Sequence, residues 1–120
     1  MKATIVLAGV AALLTGCGSG GDPDLSPAAA EGRSIAESAG CASCHGADGE
    51  GVVGPPWRGL HGSTVILEDG SQVVADDEYL IRSIKDPQAD VAEGYPTRMP
   101  ENTLDDDEIG SILAYIKELG

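Results

Sequence analysis

Cys41-Ala42-Ser43-Cys44-His45 is the stretch on which the reading of this chain turns. Two cysteines separated by two residues and followed at once by histidine make C-x-x-C-H, the pattern by which a chain attaches c-type haem. The spacing has a physical reason. Two intervening residues let one tight turn present both sulfurs to one porphyrin edge, where the thiols add across the vinyl groups. The next residue then drops onto the ring axis, where an imidazole becomes the first axial ligand of the iron. Cys41, Cys44 and His45 are therefore the first candidate site residues. One covalently held haem c is the candidate cofactor, with His45 as a metal ligand.

The segment upstream is a tether rather than a domain. Residues 1–16 carry a charge at Lys2 and then an apolar run from Ala3 to Leu14, broken by Thr4 and Gly9. That is the pattern of a secretory signal, and the run is too short for a membrane span of about 20 residues. It closes on Leu14-Thr15-Gly16-Cys17, which resembles the bacterial lipobox. The resemblance implies cleavage before Cys17 and a lipid on its sulfur. The chain is thus expected to be exported and held as a lipoprotein on the periplasmic or extracytoplasmic face of a membrane. Gly18 to Ala30 reads GSGGDPDLSPAAA, a linker composition without hydrophobic periodicity. Its reach is about 20 Å on average and about 45 Å when fully extended. The expected organisation is a signal peptide at 1–16, a lipidated cysteine plus linker at 17–30, and one domain at 31–120. The three cysteines are then accounted for, one by lipid and two by haem, and no disulfide is expected.

Charge and composition narrow the partners. Twenty acidic residues against seven basic give a formal charge of −13, and loss of Lys2 with the leader makes the mature chain more negative still. That argues against nucleic acid and against electrostatic attraction to anionic lipid, and it suits a partner with a basic face. The chain has no Phe, one Trp and three Tyr. So small a store of aromatic bulk leaves a thin core, and a buried haem supplies apolar volume that the side chains lack.

The rest of the domain reads in order. Ala28 to about Ala39 is expected to be a helix ended by Gly40, with Gly32 inside it marking a close backbone approach. Gly54-Pro55-Pro56 forms an extended strut. Val65-Ile66-Leu67 and Gln72-Val73-Val74 flank Asp69-Gly70, the dipeptide favoured in a type I′ hairpin turn. Asp76 caps a helix running to about Lys85, with Leu80, Ile81 and Ile84 on one stripe, and Asp86-Pro87 stops it. Gln88 to Thr103 is a long irregular loop, which in a small domain is usually functional. It contains Met99-Pro100. In the last helix Asp105 at the N-cap and Glu108 at N3 form a capping box, and Leu104 is placed to staple onto Ile109. Ile109, Ile112, Leu113 and Ile116 make its buried stripe, with Tyr115 at the edge.

From about Ala30 to Leu119 this arrangement resembles a class I cytochrome c. The resemblance implies an all-α, cytochrome c-like fold in which the N- and C-terminal helices cross, here with a small β-hairpin inserted. It implies that Gly32 and Tyr115 meet at that crossing. It implies that the carbonyl of Pro55 accepts the Nδ1 proton of His45, fixing its tautomer. It also implies an axial methionine in the long loop, and Met99 is the only Met left once the leader is removed. The rival ligand, His61, lies too soon after the strut to reach the opposite face easily and reads as a surface histidine. LEDGSQVVADDEYLIRSIKDP (67–87) and GYPTRMP (94–100) look like the cytochrome c domain fused to subunit II of some haem–copper oxidases. This chain has neither the transmembrane hairpin nor the dinuclear-copper domain of that subunit, so a free-standing, lipid-anchored relative is expected.

The expected function is that of an electron-transfer protein rather than an enzyme. Its donor is expected to be a quinol-oxidising complex and its acceptor a terminal oxidase or reductase. A fixed haem subunit of an oxidase or dehydrogenase complex is the alternative. A dithiol oxidoreductase using Cys41 and Cys44 is the remote one, because a thioredoxin-like fold needs βαβ units that this chain does not show. A structural zinc site lacks finger spacing. Trp57 and Tyr95 read equally as propionate donors or as packing, and Arg58 and Arg98 as propionate partners or as exposed ion pairs.

Overall fold

A computed structural model describes residues 24–120. The signal segment 1–16, Cys17 and the linker up to residue 23 lie outside the described residues. The elements in order are α1 (Pro27–Ser38), α2 (Ala42–His45), β1 (Thr64–Ile66), β2 (Gln72–Val74), α3 (Asp77–Lys85) and α4 (Asp106–Glu118).

Helix α1 begins ahead of the linker boundary drawn at Ala30. Ser26 is its N-cap, accepting the Ala29 N–H at 3.2 Å, and Pro27 fills the first helical position, where a missing N–H costs nothing. Ser-Pro read as linker composition is, in place, a helix start. The buried face of α1 is Ala29, Gly32 and Ala36, all small. That allows α1 to lie close against α4. A Cβ on Gly32 would collide with the Ser111 carbonyl and stand 2.8 Å from the Ile112 nitrogen. The close approach expected at Gly32 is therefore to the backbone of α4. Gly40, at φ +83°, then turns the chain out of α1 toward α2.

Among the described residues, helix α4 supplies five of the thirteen buried apolar ones, more than any other element. Its Ile109, Ile112, Leu113, Tyr115 and Ile116 are buried, and Ile109 and Ile112 are the largest side chains sealed completely from solvent. The capping box is present in both directions: the Asp105 carboxylate accepts the Glu108 N–H, and the Glu108 carboxylate accepts the Asp105 N–H, each at 2.9 Å. Helix α3 starts on Asp76, whose side chain accepts the Tyr79 N–H at 2.8 Å, and buries Tyr79, Leu80 and Ile84. Lys117 near the end of α4 pairs with Asp77 at the start of α3 at 3.0 Å. Lys85 at the end of α3 pairs with Asp106 at the start of α4 at 2.5 Å. These two pairs align α3 and α4 with opposite directions, which sets each acidic N-terminus beside a basic C-terminus. The start of α1 is tied to the end of α4 as well: the Ser26 N–H and hydroxyl donate to the Glu118 carboxylate at 2.9 and 2.5 Å.

The hairpin pairs Thr64 with Val74, Val65 with Val73 and Ile66 with Gln72. Its turn differs from the expected type I′. That turn needs positive φ at both central residues, and here Gly70, at +84°, is the only one of the pair with positive φ. The Gly70 N–H donates to the Leu67 carbonyl and the Leu67 N–H to the Ser71 carbonyl, each at 2.9 Å. That is a three-residue loop, Glu68-Asp69-Gly70, with glycine at the left-handed position. Asp69 binds the Ser71 N–H and hydroxyl rather than twisting itself. The outer edge of β1 is also used. Leu67 bridges Ala92 in antiparallel fashion, so the long loop is not wholly irregular.

Candidate functional site

Helix α2 is a single turn that contains the cysteine–histidine motif. The His45 N–H donates to the Cys41 carbonyl at 3.0 Å and the Gly46 N–H to the Ala42 carbonyl at 2.9 Å. Cys41 and Cys44 are therefore one turn apart on one face. Both are half-buried thiols with no disulfide. Burial pushes the Cys41 thiol up, the opposite of what an attacking thiolate needs. Gly46 leaves the turn at φ +92°, where a side chain would be strained and would also run into the Glu50 carboxylate. The chain then folds back, the Gly51 N–H reaching the His45 carbonyl at 2.7 Å and the Gly54 N–H the Cys44 carbonyl at 2.9 Å.

The His45 ring is held on three sides. Its Nδ1 lies 2.8 Å from the Pro55 carbonyl oxygen. A carbonyl only accepts, so Nδ1 carries the proton and Nε2 keeps a free lone pair. Trp57 stacks on the imidazole, with ring centroids 4.7 Å apart and planes 20° from parallel. Gly54 passes so close that a Cβ there would stand 3.0 Å from His45 Cε1. Burial lowers the His45 pKa, and the bond to Pro55 only partly offsets it. The imidazole is therefore neutral at neutral pH, the state in which it donates a lone pair. The stacking role of Trp57 was not legible beforehand, because a Trp directly after a proline strut carries no signal of which ring it will meet. Trp57 in turn meets Tyr115 edge-on, at 6.1 Å and 89°.

These groups open onto one cavity of about 210 Å³. Cys41, Cys44, His45 and Pro55 line one side. Leu80 and Ile84 of α3 and Ile112 and Ile116 of α4 give it apolar walls, and Tyr95, Arg98, Met99 and Pro100 of the long loop complete it. Met99 is half-buried, and its carbonyl accepts from Gln88 Nε2 at 2.9 Å. His61 is not among the lining residues, and its Nε2 contacts Asp77 at 2.7 Å. Arg98 pairs with Glu68 at 2.8 Å. Cys17 lies outside the described residues.

Two thiols on one turn, an imidazole with a free Nε2 and a thioether, all facing one apolar cavity, form a donor set that fits a covalently attached haem. The site is that of a haem-binding protein. The family model for Cytochrome c matches residues 29–120, and the chain belongs to that family. It is thus a haem-binding electron-transfer protein. Its fold is a cytochrome c domain of four helices with a small two-stranded antiparallel sheet. Haem c is the cofactor that the family implies, and Cys41 and Cys44 have the spacing for it. A comparison with curated proteins gave no match.

Proposed function

We propose that this protein is a membrane-tethered c-type cytochrome that carries single electrons in a respiratory chain, with His45 and Met99 as the axial ligands of its haem. The observation that carries the reading is the meeting of Cys41, Cys44, His45 and Met99 on one apolar cavity, with His45 Nδ1 committed to Pro55. Bound there, haem supplies a one-electron iron couple, whose potential a thioether ligand raises relative to a second imidazole. The chain does the rest. Cys41 and Cys44 anchor the ring edge, Pro55 and Trp57 fix the imidazole plane, and the apolar walls exclude water. With His45 and Met99 both holding the iron, no position would be left for oxygen or peroxide, which favours electron transfer over substrate chemistry.

The strongly acidic chain suits redox partners with basic docking faces, a quinol-oxidising complex as donor and a terminal oxidase or reductase as acceptor. Cys17 is the lipid attachment point, and no helix among the described residues is long and apolar enough to cross a membrane. A pyridine haemochrome spectrum of the membrane fraction tests the cofactor: the haem should stay with the chain after denaturing extraction. Cys41→Ser with Cys44→Ser should abolish that retention, and a well-folded haem-free double variant would count against the proposal. Met99→Ala should lower the reduction potential, and an unchanged potential excludes Met99 as ligand. Cys17→Ser should release the protein from membranes, and continued residence there rules out lipidation.

A further inference from the structure

We propose that the β1–β2 hairpin is a brace that holds the Met99 segment against the cavity, with Glu68 as its positioning residue; the proposal rests on the reading of Met99 as axial ligand. The segment between α3 and α4 contains no helix or strand, yet its methionine must stay in place. A Met side chain has three rotatable bonds and orders itself poorly, so the backbone that bears it has to be fixed from outside.

The hairpin does this along its free edge. Around the Leu67–Ala92 bridge, the Glu68 N–H donates to the Val91 carbonyl and the Glu93 N–H to the Ile66 carbonyl, both at 2.9 Å. The loop is thereby bridged at one point, in antiparallel fashion, to the end of β1. Glu68 then makes a second contact further along, its carboxylate meeting the Arg98 guanidinium at 2.8 Å, one residue before Met99. A single residue of the hairpin thus grips the segment at two points, by its backbone at Val91 and by its side chain at Arg98. The hairpin is itself firm. Leu67 is buried, Val65 and Val73 lean on the core, and the Ala75 N–H donates to the Ser63 carbonyl and the Gly62 N–H to the Ala75 carbonyl, each at 2.8 Å. The other ties come from the loop itself and from its margins: Gln88 Nε2 on the Met99 carbonyl at 2.9 Å, Arg82 on Asp90, and Asn102 Nδ2 on the Ile84 carbonyl at 2.8 Å.

The geometry offers a clean cut. Glu68 occupies the second position of the turn closed by the Gly70-to-Leu67 bond, where proline is favoured. Its N–H takes no part in the hairpin's own bonds. Glu68→Pro therefore removes both contacts with the loop while leaving the hairpin a compatible turn. Glu68→Gln removes the ion pair alone.

The test is the affinity of the ferric holoprotein for imidazole, which must displace Met99, followed by loss of the sulfur-to-iron charge-transfer band. Global unfolding is measured alongside. Glu68→Gln should bind imidazole about two- to fivefold more tightly, with the difference fading at high salt. Glu68→Pro should bind it about tenfold more tightly. Both should lose little global stability. Arg98→Glu should bind more tightly, and adding Glu68→Arg should bring the affinity back toward wild type. Wild-type affinity in both Glu68 variants overturns the proposal. So does a gain matched by Ser26→Ala, a variant weakened at the N-cap of α1, outside both the loop and the hairpin. If Glu68→Pro does not fold, Glu68→Gln and the charge swap decide alone. Absence of the sulfur-to-iron band in the wild type would refute the Met99 reading itself, and the brace with it.

Discussion

Replacing Gly32 with alanine isolates the contact on which the packing of α1 against α4 rests. In a helix interior this substitution ordinarily helps, by about 1 kcal/mol. Here the new Cβ would meet the Ser111 carbonyl oxygen and carbon and the Ile112 nitrogen, all inside 3.0 Å. Backbone cannot rotate away as a side chain can, so the two helices must move apart. Overpacking of this kind costs typically 1–3 kcal/mol, and a contact with backbone belongs at the upper end. A separation of even half an ångström also weakens the contacts that Ala29, Ala36, Ile109 and Ile112 make across the interface. The propensity gain offsets about a third of this, leaving a net loss of about 2 kcal/mol. For a domain of this size that lowers Tm by on the order of 10 °C. Gly110 is the control. It lies in α4, is exposed, has no positive φ, and a Cβ there meets nothing within 4 Å. Gly110→Ala should stabilise by about 0.4–1 kcal/mol. The assay is guanidinium and thermal unfolding of both holoprotein variants followed by circular dichroism. If Gly32→Ala proves as stabilising as Gly110→Ala, the close approach of α1 and α4 is wrong.

Asp105→Ala removes the cap that receives the Glu108 N–H and should cost about 1 kcal/mol in denaturant unfolding. No change would mean that water replaces the cap without loss. Trp57→Ala removes the ring stacked on His45 and should cost about 3–5 kcal/mol. Trp57→Phe keeps an aromatic face there and Trp57→Leu does not, so the Phe variant should be the more stable by about 0.5–1.5 kcal/mol; equal stabilities of those two would mean that stacking adds nothing. Lys117, and after it His61, hold the Asp77 carboxyl below its ordinary range. A depressed carboxylate pKa gives stability that is full above the unfolded value and is lost as pH falls through the folded one. Asp77→Asn should therefore flatten the acid side of the stability–pH curve, below the ordinary carboxylate pKa, and an unaltered acid slope would show the contact to be inert.

What the sequence disclosed depended on how local the cause was. The capping box of α4 is written in two residues three apart, and α3 announces itself by Asp76 and an apolar stripe. The attachment motif is equally local, and its single helical turn follows from its spacing. The hairpin was half legible. Asp69-Gly70 marked the reversal, but turn type depends on where the ladder closes, and the bonds of Leu67 enlarge the loop to three residues. The ordering of residues 88–103 was not legible at all. It comes from partners remote in sequence, such as Glu68 with Val91 and Arg98, and Asn102 with Ile84. The His45–Trp57 stack belongs to the same class, since it exists only once the strut at Pro55 has folded back.

The clasp between Ser26 and Glu118 carries a consequence for how this domain can be joined to others. Two residues 92 apart in the chain are in hydrogen-bond contact, so the polypeptide enters and leaves at the same pole. A domain with adjacent ends can be spliced into a host chain, or appended at either terminus, without its interior being rethreaded. A circular permutant joining the two ends through a short glycine bridge should keep the same packing. The clasp that marks this modularity joins one serine and one glutamate, neither of which lines the cavity.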